Sequence, residues 1–143
     1  MAQEYSEDAR DLVEKFELSS VLNDEKKVLT FCCDCCRLIW DKLPKIAQDA
    51  LEVSEKYIND SASIQDLIDA RTKLWNFIGE DFMNFEMPHI SATRAVICCL
   101  YEVKTMDEAF DAACYVMGFS NNIEIKTAEH VELLLKIFSN PEK

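Results

Sequence analysis

Apolar positions recur three and four residues apart over most of this chain, the period of an amphipathic helix rather than of a strand. One stretch departs from the half-polar pattern. From Ala95 to Tyr101 seven consecutive residues carry no charge, bounded by Arg94 and Glu102. That run is too short to span a bilayer, and a helix apolar all round has to be enclosed by other helices. Pro88 is tolerated in a first turn and the next turn signal is Lys104-Thr105, so a central helix is predicted over 89–103, with the remainder packed on it.

The other helices follow from stripes and stops. Leu12, Val13 and Phe16 share one side of a short acidic helix over 5–17, opposite Glu7, Asp8, Asp11 and Glu14. Val28, Leu29, Cys32, Cys36, Ile39 and Trp40 predict a helix over 24–42, stopped by Pro44; Ile46, Ala50, Leu51, Tyr57 and Ile58 predict the next over 45–58. Ser63-Ile-Gln-Asp66 resembles a capping signal for a helix over 63–78, and Gly79 suits its exit because glycine tolerates positive φ. Glu80 to Met87 reads as a compact connection. Thr105-Met-Asp-Glu108 is a full capping box for a helix that Gly118 closes, with Ser120-Asn-Asn122 as turn material. Thr127 caps the last helix, which Val131, Leu134, Leu135 and Phe138 dock before Pro141. No internal repeat holds a fixed period. The expectation is an all-α, single-domain bundle over 1–143, with about seven helices around the 89–103 rod.

Composition agrees and narrows the function. Two glycines and three prolines in 143 residues are scarce for a β-rich or loop-rich protein, and 49% apolar content can fill a core without disulfides or metal. A net charge of −12 excludes phosphate-backbone binding, which needs clustered Lys and Arg, so no nucleic acid is expected as a ligand. The N-terminus lacks the basic and apolar regions of a signal peptide, which predicts a cytoplasmic protein with no membrane contact and seven reduced cysteines.

Each candidate for chemistry has a plainer explanation. Phe31-Cys-Cys-Asp-Cys-Cys-Arg37 holds two overlapping Cys-x-x-Cys spacings, yet it lies inside a helical pattern where buried cysteine acts as a small hydrophobe, so core packing is expected and no metal. His89 and His130 lack a partner motif and read as surface or capping residues. Pairs such as Asp66 with Asp69, or Asp107 with Asp111, are expected where acids number 27, and read as a solvated face. No nucleophile elbow and no Gly-rich phosphate loop is present, so neither an enzymatic activity nor a cofactor is expected. The run Gly79 to Pro88 is different. Phe82, Met83, Phe85 and Met87 alternate there with Glu80, Asp81 and Glu86, and aromatic anchors amid charge describe a protein contact. The competing reading tucks Phe82 and Phe85 beneath the connection into the core.

The order of these pieces over about residues 32–138 resembles small all-helical immunity proteins of bacterial polymorphic-toxin and contact-dependent inhibition systems. The features that carry the likeness are Cys36-Arg37 followed by an aromatic and Leu43-Pro44, Ala70-Arg71…Trp75…Gly79-Glu80, Ser91-Ala92…Arg94-Ala95, and Asp111-Ala112-Ala113…Gly118. The resemblance implies a non-enzymatic inhibitor that binds one cognate protein toxin, a nuclease among the candidates. Glu80, Asp81 and Glu86 would then steer a basic partner while Phe82 and Phe85 anchor it. A helical adaptor that holds a partner helix in a groove is the alternative, followed by a cysteine-based metal-binding regulator, and the same exposed aromatics would also suit a homo-oligomer.

Overall fold

The computed structural model describes residues 25–138; the acidic helix expected over 5–17 and the stop at Pro141 lie outside them. Pro88 opens a helix of ten residues, α4 (Pro88–Ile97), at the first-turn position where its missing N–H costs nothing. Seven of those ten are buried, among them Ile90, Ala92, Ala95, Val96 and Ile97, which answers the uncharged run. The helix stops six residues earlier than the 103 expected. Its last carbonyls accept from the amides of the turn that follows, Cys99 N–H donating to Val96 O and Leu100 N–H to Ile97 O, and the carbonyls of that turn are taken by side chains: Ser54 donates to Cys99 O at 2.7 Å and Arg71 to Leu100 O at 3.1 Å, while Val103 N–H donates to the Glu25 carboxylate at 2.9 Å.

Six α-helices lie among the described residues, and no strand does. The first, α1 (Glu25–Arg37), ends five residues short of expectation. Leu43 must be extended before Pro44, at φ −79° and ψ 134°, so the chain unwinds through a 3₁₀ turn at Trp40–Lys42 to reach it. Arg37 closes the break, its guanidinium 4.1 Å over the Trp40 ring and forked onto Glu55 at 2.7 and 2.9 Å. Next come α2 (Lys45–Ile58) and α3 (Ile64–Ile78), the latter with a two-way capping box between Ser63 and Asp66. Aspartate here does what glutamate usually does at that position.

Helix α5 (Met106–Ile123) starts at the expected Thr105–Glu108 box but runs five residues past Gly118, and residues 120–122 are its last turn rather than a loop. Phe119 is buried beside Met117, and that apolar surface holds the backbone helical through the glycine. The stop comes from Asn121, whose side-chain oxygen accepts from Lys126 N–H at 2.8 Å. Helix α6 (Thr127–Phe138) follows.

One rod was expected at the centre; two helices share that position. Helix α4 packs against α1, α2, α3 and α5, and α1 packs against α2, α4, α5 and α6. What lets α1 into the interior is its cysteine run. Cys32, Cys33, Cys35 and Cys36 are all buried, and small thiols allow neighbouring backbones to approach. The Cys36 and Cys99 sulfurs join α1 to the turn after α4 at 3.7 Å, and Cys33 donates to the Ser54 hydroxyl at 3.3 Å.

Candidate functional site

The docking residues expected from sequence fall in the hinge between α3 and α4. Gly79 leaves α3 at φ +53° and ψ −129°, a combination only glycine adopts without strain, and a 3₁₀ turn (Gly79–Asp81) follows. Tight turns continue the path, with Asn84 N–H donating to Asp81 O and Met87 N–H to Asn84 O. Helix α4 then pins the hinge from below: Arg94 donates to Phe82 O and Ser91 to Phe85 O, each at 2.6 Å. An exposed connection is thereby held in one conformation.

The five expected residues divide. Glu80, Asp81, Phe82 and Glu86 are exposed, with Phe82 at 45%, and the neighbouring Met83 reaches 56%. Phe85 turns inward, its ring 5.3 Å from that of Phe119 and 5.3 Å from the Arg94 guanidinium, so it supports the hinge from the core. The sequence treated the two phenylalanines alike; their separation depends on Phe119, which sits beyond the glycine thought to end α5.

The structure adds two aromatic residues that the sequence did not single out for docking. Trp75 is only half-buried; Phe82 meets it edge-on at 6.4 Å, and its indole N–H donates to Tyr101 Oη at 2.9 Å. Tyr101 is 42% exposed and carries the Arg71 guanidinium 4.3 Å over its ring. From Met83 through Phe82 and Trp75 to Tyr101 there is thus a continuous apolar track. Its far end enters a cleft of about 400 Å³ between α3, α4 and α5, bordered also by Arg94, Cys98, Glu102, Asp111, Tyr115 and Phe119. Burial, with Asp107 one turn away, raises the Asp111 carboxyl above its ordinary range. A sequence signal for the track did exist: Arg71 and Trp75 are spaced one helical turn apart.

The remaining candidates resolve into structure. Cys98 is half-buried and the other six cysteines are buried; burial pushes the thiols of Cys32, Cys35 and Cys99 well above their usual range, which leaves them poor nucleophiles. Among the described residues no three His, Cys, Asp or Glu side chains are grouped to hold a metal ion. His89 lies half-buried against the Phe77 ring at 6.1 Å. His130, expected at the surface, is instead fully buried, because it shares the core-facing side of α6 with Leu134. Among the described residues no helix is long and apolar enough to cross a membrane. No family model matches the chain, and comparison with curated proteins and with solved structures gives no match either.

Proposed function

We propose that this protein is a non-enzymatic binding module whose hinge docks a basic protein partner, in the manner of an immunity protein neutralising its cognate toxin. The observation that carries the reading is the pinned hinge itself. Phe82 and Met83 remain 45% and 56% exposed on a backbone fixed by Arg94 and Ser91, between the exposed Glu80, Asp81 and Glu86. A pre-formed apolar anchor gives up little entropy on association, and the acids speed encounter with a positive surface.

The test is to ask whether a toxin domain is encoded beside this chain's gene and, with that domain purified, to measure its association. Reversing Glu80, Asp81 and Glu86 to Lys should slow association by about tenfold or more and flatten its dependence on salt, while Phe82→Ala should mainly hasten dissociation. On-rates that ignore the triple reversal would remove the steering role, and absence of any complex would remove the immunity reading.

A helical adaptor is a second reading, favoured by a groove of about 640 Å³ between α2 and α3 with Ile46, Ala50, Val53 and Ala70 along it. Its rim acids already have local duties: Asp49 pairs with Lys45 at 2.7 Å, Asp66 caps α3, and Asp69 accepts from Gln65 at 2.9 Å. The groove therefore has less charge to offer a partner than the hinge. Lys73→Trp, at an exposed position on its rim, would obstruct it and should leave hinge-dependent binding intact.

A further inference from the structure

We propose that the hinge and the adjoining cleft are one docking surface, and that the cleft accepts an arginine or lysine side chain from the same protein partner whose apolar residues sit on Phe82 and Met83. The proposal rests on the binding role assigned to the hinge and adds the chemistry of the partner's second contact. Continuity is the first argument. Trp75 touches Phe82 on one side at 6.4 Å and Tyr101 on the other at 2.9 Å, and both Trp75 and Tyr101 line the cleft. The two halves are joined there through side chains, by the Trp75–Phe82 ring contact and the Trp75–Tyr101 hydrogen bond.

Charge is the second argument. The cleft is lined by three carboxylates, Glu102, Glu108 and Asp111, and by one cation, Arg94. Arg94 is already engaged, donating to Phe82 O and lying 5.0 Å from the Trp75 and Phe119 rings. Glu108 is engaged as well, accepting from the N–H groups of Lys104 and Thr105. Glu102 lies 3.7 Å from Lys104. Asp111 stands exposed at the edge of the cleft one turn from Asp107, a like charge that a basic side chain would offset. A basic side chain meets these demands in one piece: its alkyl stem lies on the aromatic wall while its head reaches the carboxylates. A partner carboxylate would face the same acids and be repelled.

The probe is a synthetic amphipathic Leu/Lys peptide, with its Leu/Glu counterpart as control, titrated against the full chain. Three proteins are compared: the unaltered chain, E102Q/D111N, and F82A/M83A. The Leu/Lys peptide should bind, E102Q/D111N should weaken it about fivefold or more, and bound peptide should slow alkylation of Cys98, the one thiol that is not buried and a lining residue of the cleft. Both substitutions remove charge from partly exposed positions, so folding is retained. If F82A/M83A abolishes binding while E102Q/D111N and the Cys98 rate change nothing, the hinge docks alone and the cleft proposal falls, leaving the hinge reading in place. Equal binding of the Leu/Glu peptide, or no binding of the Leu/Lys peptide, also overturns it.

Discussion

His130 is fully buried with neither ring nitrogen in a hydrogen bond among the described residues, and desolvation holds its pKa at about 4. The unfolded chain binds that proton near pH 6.5, so between the two values the unfolded state carries more protons and stability falls as the solution is acidified. Roughly 3 kcal/mol attaches to this one ring, fully present above pH 6.5 and lost as pH drops through about 4. Urea titrations at stepped pH should show that slope, and His130→Leu, which puts an apolar group of similar size in the same place, should flatten it and hold or raise stability at pH 7. The two hinge phenylalanines give a second contrast at this scale. Phe85→Ala empties a site against Phe119 and should cost about 3–5 kcal/mol, whereas Phe82→Ala should cost about 1 kcal/mol, a difference that thermal melts resolve easily. Asp111→Asn should raise the melting temperature slightly, since its charge is disfavoured where it stands.

At the scale of elements, starts were far more legible than stops. Both capping boxes, Ser63–Asp66 and Thr105–Glu108, are local hydrogen-bond patterns within four residues, so the sequence alone places α3 and α5 at their true beginnings. Thr105→Ala should accordingly lower stability by about 1 kcal/mol, measured by denaturant midpoint. The end of α4 is decided by distant partners, Ser54 and Arg71 taking the carbonyls that follow it, and nothing within a turn of that end announces them. The stops of α1 and α5 have local causes, Pro44 and Asn121, but Arg37 then settles on the distant Glu55 and Phe119 on the distant Phe85. Gly79 is the exception: the left-handed exit was readable, and Gly79→Ala, with open space around the added carbon, should cost about 1 kcal/mol through backbone strain alone. The cysteine run was legible as core but not as centre, because periodicity reports which side of a helix is apolar and not how many neighbours enclose it. The same limit hid Trp75 and Tyr101, whose partial exposure depends on three helices meeting.

For the molecule as a whole, charge and shape act at different ranges. A net charge of −12 would draw a basic partner from a distance, and the track from Met83 to Tyr101 would give it somewhere apolar to settle. Arg94 joins those two regions, since one guanidinium holds the Phe82 carbonyl and also borders the cleft. It works as a single bolt through two plates. Replacing it with lysine keeps the charge but gives up the flat head that rests on three rings, so Arg94→Lys should slacken both plates together, seen as faster amide exchange along 80–87 and at Tyr101 alike.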